Sequence, residues 1–445
     1  MARHGRGLAI VPTAPERLRS RDSEHPYRHD SNFHHLTGFD EPEAWLLIDE
    51  RGHSVLLCRE KNAEREIWDG RRLGPEAAVD TLGVDEAFPM EALDKVLVER
   101  LTHRDTVWLP FDRDGLQGQV QGWLAEVRQR DRTGAPAPSM LRDIGPLLAE
   151  MRLIKDDSEL ATMRRAAQIS AGAHARAMRF CAEHFREPAA EALPEYRIEA
   201  ELLHEFRRHG AQSPAYISIV AAGANACVLH HCAGASLLQR DSLCLIDAGC
   251  ELDGYASDVT RTFPASGRFS AAQRELYDIV LAAQDAAVAC TRPGARRIDA
   301  HDAAVRVLAQ GMLDTGLLQR EKVGSVDDVI ASAAYRQFYM HGTGHWLGRD
   351  VHDVGEYLAL DEPPVEQPDG HGGRVIKHPS RKLQPGMVLT IEPGLYVRPA
   401  EGVPERYWNI GIRIEDDAIV TAQGCELISR GAPVAAVEIE ALMRG

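Results

Sequence analysis

Apolar and polar residues alternate in short runs along the first third of the chain. GLAIVP, AWLLID, HSVLLCR and TVWLPF each read as a strand, and between them MEALDKVLVERL places Leu93, Val96, Leu97 and Leu101 at helical spacing. This alternation predicts a compact α/β domain over residues 1–150, closing at the Gly/Pro/Ala-rich stretch DRTGAPAPS. A long amphipathic helix follows from Asp156 to Phe185, with Leu160, Met163, Ala167, Ala171, Met178, Cys181 and Phe185 on one face. Asp156 and Glu159 have the spacing of a capping box at its start. Beyond it, over residues 151–445, helical segments alternate with strand blocks at 215–263 and 387–421. The helices are LPEYRIEAELLHEFRRHG, FSAAQRELYDIVLAAQDAAVA (opened by Ser270 and Gln273 in capping-box register) and AHDAAVRVLAQGML. This pattern predicts an α+β domain whose helices cover a largely antiparallel sheet.

Four acids break the strand pattern. In IDAGCELDGYASDVTRTF, Asp253-Gly254 signals a turn, and folding the chain back there brings Asp247 and Asp258 within a residue or two of each other's register. Glu392 ends the strand of VLTIEPGLYV, and in IGIRIEDDAIV the alternation puts Arg413 and Glu415 on one side. Glu251, Asp253, Asp416 and Asp417, at turns or strand ends, read as ordinary solvated or salt-bridged acids. Carboxylates ~5 Å apart repel by about 3 kcal/mol per pair at an effective dielectric near 20. Four converging acids would therefore cost on the order of a domain's stability unless positive charge sits among them. Arg413 supplies one charge, whereas two divalent cations supply four. Oxygen-rich ligation with one nitrogen suits manganese, cobalt or zinc, and MHGTGHWLGRDVHDVG offers His341, His345 and His352 as the nitrogen donor. The glycines of that stretch make it a loop, so it is read neither as a zinc-binding helix nor as a dinucleotide loop. HEFRRH places His204 and His209 five apart, the wrong spacing for a helical metal pair.

Bulk composition narrows the partners. A formal charge of −16, from 51 basic and 67 acidic side chains, disfavours nucleic acid and anionic membranes. No apolar run is long enough to span a bilayer, and no signal peptide is read at the start, so a cytoplasmic location is expected. Cys58, Cys181, Cys227, Cys232, Cys244, Cys250, Cys290 and Cys425 are scattered, and are expected to be reduced core residues.

Five segments, NACVLHH, IDAGCELDGYASDVTRTF, HGTGHWLGRDVHDVGEY, PGMVLTIEPGLYV and GIRIEDD, together resemble the pita-bread metallopeptidases. DSEHPYRHDSNFHHLTGFDEPEAWLLID, IWDGRRLGPEAAVDTLGVDEAF and HWLG resemble aminopeptidase P within that group. The resemblance implies an α/β amino-terminal domain followed by an α+β pita-bread catalytic domain. It implies Asp247, Asp258, His345, Glu392 and Glu415 as ligands of two divalent metal ions, manganese first, with cobalt and zinc as alternatives. Asp258 and Glu415 would bridge the two ions and Glu392 would carry a proton. His230, His341, His352 and Arg413 would assist catalysis, and Tyr396 and Trp68 would contact substrate. In oligomeric relatives the residue resembling Trp68 reaches a neighbouring subunit's site, so a homo-dimer or homo-tetramer is expected.

The substrate implied is a peptide with proline in second position, cut before that proline. A prolidase confined to Xaa-Pro dipeptides is the alternative within this chemistry, and a metal-free peptide-binding module is the alternative outside it. One departure concerns the start: family members usually carry a helical segment before the first strand, whereas GLAIVP begins close to Met1, as a truncated or misassigned start would give.

Overall fold

The computed structural model describes residues 6–130, 136–369 and 373–445. Met1 to Gly5 and part of DRTGAPAPS lie outside the described residues. The chain divides into two compact units, Met1–Met151 and Arg152–Gly445.

In the first unit six strands form a mixed sheet in the order Glu86–Pro89, Ser54–Cys58, Trp45–Asp49, Gly7–Pro12, Thr106–Leu109, Met140–Asp143. The central strand shows why GLAIVP is apolar throughout. Leu8 and Ile10 face a core closed by helices Leu93–Leu101 and Leu116–Gln129, while Ala9 and Val11 face a second core containing Phe33, Ala78 and Leu148. Both faces of the strand are covered, so the period of two carries no polar residue.

The second unit opens on the helix Asp157–His184, whose N-cap Asp156 and Glu159 form the capping box anticipated from their spacing. Ser270 and Gln273 do the same for Ala271–Cys290. Ile198, Leu202 and Phe206 of helix Glu195–Arg208 are fully buried. All strand pairings here are antiparallel among the described residues. Leu243–Asp247 lies between Ile219–Ala222 and Thr260–Pro264, Val388–Ile391 pairs with Asp416–Val420, and Gly394–Val397 pairs with Ile410–Arg413. Single bridges at Thr260–Glu415 and Trp346–Leu389 bring these pieces together. The largest apolar cluster of the chain packs helices Ala271–Cys290 and Arg297–Asp314 against this antiparallel structure.

Three sequence expectations are corrected. Glu251 is not a turn acid: it sits in strand Cys250–Leu252, which pairs with both Ser213–Pro214 and Tyr255–Ala256, and it is buried. Asp416 and Asp417 are fully buried inside a strand rather than at a solvated strand end, and of the two only Asp416 has the salt bridge that was the other expectation, to Arg261 and Arg430, among the described residues. Cys232 is exposed, although all eight cysteines are free. A hairpin of Val365–Pro368 and Arg374–Lys377 was not anticipated, because its apolar residues are few and exposed.

Candidate metal centre

Strand ends deliver the acids. Asp247 is the last residue of Leu243–Asp247, paired with Thr260 and so two positions from Asp258. Glu392 follows Val388–Ile391 directly, and Glu415 lies between Ile410–Arg413 and Asp416–Val420. His345 comes from the loop that the Trp346–Leu389 bridge holds to the same strand. All five line one cavity of about 530 Å³, together with Tyr216, His230, His341, His352 and Arg413 and an apolar wall that includes Ile217, Ile219, Leu229 and Val351. Ligand atoms of Asp258, His345 and Glu415 lie within 4.8 Å of one another. His345 Nε2 is 3.4 Å from Asp258 and 3.7 Å from Glu392.

The donor set suits a hard or borderline divalent cation: the grouped ligand atoms are carboxylate oxygens and one imidazole, and Cys232, which also lines the cavity, is not among them. His345 is oriented for ligation, because its Nδ1 donates to the Trp346 carbonyl at 2.9 Å, which turns Nε2 toward the acids. Arg413 is the one arginine lining the cavity, and its guanidinium contacts Asp247 at 2.5 Å, the Tyr396 hydroxyl at 3.0 Å and Thr260 Oγ1 at 3.1 Å. One guanidinium cannot neutralise four clustered acids, and the acids' proton affinities record the deficit. Burial, with the neighbouring charges of Asp258, Glu392 and Asp247, lifts Glu415 well above the usual carboxylate range. Burial also lifts Asp258, against the pull of the His345 hydrogen bond. Glu392 is pushed up by burial to about 7, partly offset by His345 and Arg413. Burial works against the charged form of His345, but Asp258, by hydrogen bond and charge, and Glu392 overcome it and raise this imidazole to about 9. A cation among the acids relieves each of these strains, so the residues fit the metal site their types suggest.

The remaining predicted residues divide. His341 donates Nδ1–H to the Gly342 carbonyl at 2.7 Å, and its Nε2 accepts from Tyr396, 2.8 Å away. Burial and the Arg413 charge lower this imidazole to about 4, so it is neutral near pH 7. Asp247, Arg413, Tyr396 and His341 thus form a continuous hydrogen-bonded row, of which Tyr396, expected to contact substrate, is fully buried and is not a lining residue of the cavity. His352 stacks edge-on against His345 with centroids 4.2 Å apart, and burial followed by the His345 and His230 charges lowers it. His230 is an exposed residue of the cavity rim. Trp68 belongs to the amino-terminal unit, 81% exposed on helix Ala63–Asp69.

Several functional contacts have no clear signal in the sequence. The Tyr216 hydroxyl lies 2.6 Å from Asp247 and 2.5 Å from Asp258, able to donate to either. Thr260 donates to Glu415 at 2.6 Å, and Asp417 accepts the Asp258 backbone N–H at 3.1 Å. Lys155 contacts Asp353 at 2.9 Å and Arg152 pairs with both Asp353 and Asp350, anchoring the loop that carries His352.

Comparison with known proteins agrees with this geometry. Residues 161–422 match the model of metallopeptidase family M24, and residues 1–108 match the aminopeptidase P N-terminal domain. The Xaa-Pro aminopeptidase of Escherichia coli is 43% identical over 98% of this chain and 93% of its own length. The human Xaa-Pro aminopeptidase 3 is 30% identical over 97% of this chain and 80% of its own. Among solved structures, the Pseudomonas aeruginosa aminopeptidase PepP superposes with a TM-score of 0.90 at 45% identity, covering 98% of this chain and 94% of that one. The E. coli aminopeptidase P with the inhibitor Pro-Leu gives 0.89 at 42%, covering 98% and 94%. The chain therefore belongs to metallopeptidase family M24, in its aminopeptidase P branch, with the aminopeptidase P amino-terminal domain ahead of a pita-bread catalytic domain.

Proposed function

We infer that this chain is a metal-dependent aminopeptidase that hydrolyses the bond between an N-terminal residue and a following proline. The observation that carries this reading is the gathering of Asp247, Asp258, His345, Glu392 and Glu415 in one cavity beside three further histidines, in a chain 43% identical to an Xaa-Pro aminopeptidase. The five residues would hold two divalent ions, manganese first, with Asp258 and Glu415 shared between them. Such ions supply Lewis acidity and lower the pKa of water toward about 7.

The chain's own side chains supply the rest. A bond to proline nitrogen has no N–H, so recognition must come from shape and the carbonyls, and the nitrogen must gain a proton to leave. Glu392, at the end of its strand beside the other acids, would accept and return that proton. The rim histidines His230 and His352 face the substrate, where they would donate to the developing oxyanion or the departing nitrogen, while neutral His341, with both ring nitrogens engaged, holds the cavity wall beside them. Arg413 orients Asp247, and Tyr396 links Arg413 to His341.

The same reading includes a homo-dimer or homo-tetramer in which Trp68 reaches a neighbouring subunit, consistent with its exposure and checked by light scattering. It includes a cytoplasmic location, supported by eight free cysteines; no described helix is long and apolar enough to cross a membrane. The deciding experiment is metal analysis combined with hydrolysis of Xaa-Pro-Yaa and Xaa-Pro peptides. Cleavage of the tripeptides is expected, and activity restricted to dipeptides would overturn the assignment.

A further inference from the structure

One carboxylate that the chemistry above leaves unused is entirely buried at the first position of helix Glu195–Arg208. Glu195 Oε1 accepts the Ala222 N–H at 2.8 Å and Asn225 Nδ2–H at 2.9 Å, and Oε2 accepts His231 Nε2–H at 2.8 Å and the Gly234 N–H at 3.1 Å. Four donors match the accepting capacity of an ionised carboxylate. A helix N-terminus favours an acid, but it does not require burial or donors drawn from another segment. All four donors come from residues 222–234, which carry His230.

That segment is held on its other sides too. Arg398 Nη2 donates to the Cys227 carbonyl at 2.6 Å. Strand residue Gly411 lies so close that a Cβ there would stand 2.4 Å from the Ala226 carbonyl oxygen. His230 itself is exposed, and among the described residues no hydrogen bond holds its ring. Its place on the cavity rim is therefore inherited from the backbone around it.

We propose that Glu195 is a positioning residue for His230, its buried carboxylate fixing segment 222–234 and with it the distance from the imidazole to the scissile carbonyl. This rests on the Xaa-Pro aminopeptidase reading. Glu195→Gln preserves the shape but keeps one accepting oxygen, and it turns an NH2 toward two donors.

The test is a double-mutant cycle of Glu195→Gln with His230→Ala on an Xaa-Pro-Yaa peptide, together with amide hydrogen exchange of the metal-loaded full chain. Glu195→Gln is expected to lower kcat by roughly 10- to 100-fold, as small misplacements of catalytic groups do, with KM within about threefold. In the His230→Ala background the same substitution should cost less than about twofold. A purely structural role would instead give additive losses. Additive losses, a wild-type kcat for Glu195→Gln, or a wild-type rate for His230→Ala each overturn the proposal and leave the aminopeptidase reading standing. A wild-type chain inactive on such peptides fails that reading instead. Exchange then decides the positioning on its own: the Ala222 and Gly234 amides should lose protection in Glu195→Gln, and unchanged protection overturns it. Should Glu195→Gln not fold, Asn225→Ala and His231→Ala, each removing one donor, carry the same test.

Discussion

Gly344→Ala should disable the metal centre without touching a ligand. A Cβ at this position would stand 1.9 Å from the Thr390 carbonyl oxygen, where real Cβ atoms essentially never come within 3.0 Å. The obstacle cannot rotate away: it is backbone of strand Val388–Ile391, paired at Thr390–Asp417 and bonded through the Thr390 N–H to the His345 carbonyl at 2.9 Å. The loop must therefore retreat by roughly 1 Å, and metal–ligand distances tolerate only about 0.2 Å. Its next residue is His345, whose Nε2 now lies 3.4 Å from Asp258. Displacement on that scale costs about 100-fold in rate, and overpacking a filled site costs about 1–3 kcal/mol in stability. The measurements are thermal unfolding, metal content after dialysis, and kcat/KM on an Xaa-Pro-Yaa peptide. The expected protein is folded with a lowered Tm, retains metal at least about tenfold less tightly, and is about 100-fold slower. Wild-type metal retention and rate in Gly344→Ala would refute the claim that this backbone contact sets the ligand geometry.

Three further outcomes follow from the same geometry. Asp258→Asn should remove metal and peptidase activity while circular dichroism and chromatographic behaviour stay those of the wild type; activity with unchanged metal content would contradict its assignment as a shared ligand. Arg413→Met strips Asp247 of its buried partner at 2.5 Å and should destabilise the metal-free protein by about 3–5 kcal/mol; a much smaller loss, seen in denaturant unfolding, would show that the pair carries little. In the metal-free protein Glu392 (about 7) and His345 (about 9) both have proton affinities raised by folding, so the folded state holds more protons and stability falls as pH rises from 6.5 to 9. His341 and His174, each lowered to about 4, act only below 6.5 and leave that window clear. Saturating metal should flatten the trend in Tm, and a metal-free Tm rising across this window would refute it.

The elements were legible wherever a local rule sufficed. Asp156 with Glu159 and Ser270 with Gln273 satisfy capping geometry within one turn, so spacing alone finds both helix starts. The acids were legible because a carboxylate in a buried strand is costly: Asp247 ends a strand, Glu415 directly precedes one and Asp258 lies two residues before another, all around one cavity. What spacing could not supply was the layer behind them. Tyr216 meets Asp247 and Asp258, Thr260 meets Glu415, and Lys155 meets Asp353, 198 residues away. Each depends on how separate strands stack.

The misread acids show where the limit falls. A period of two states which residues share a face, but not whether that face meets water, a helix or a metal. Asp416 and Asp417 adjoin Glu415 and point to opposite sides, and both were read as solvated or salt-bridged acids. Asp416 takes the salt-bridged alternative, but in full burial: it meets Arg261 at 2.7 Å, Ser429 at 2.6 Å and Gln284 at 3.0 Å. Asp417 receives the Asp258 N–H, and burial together with the Asp258 charge lifts its carboxyl well above the usual range. Counting these two acids together with Arg261 and Arg430 leaves the same charge deficit as four acids against Arg413. Arg261 and Arg430 answer Asp416, and the Asp258 N–H answers Asp417 from the far side. The inner carboxylates are left facing the cavity, where the protein supplies fewer donors and a cation has the most to neutralise.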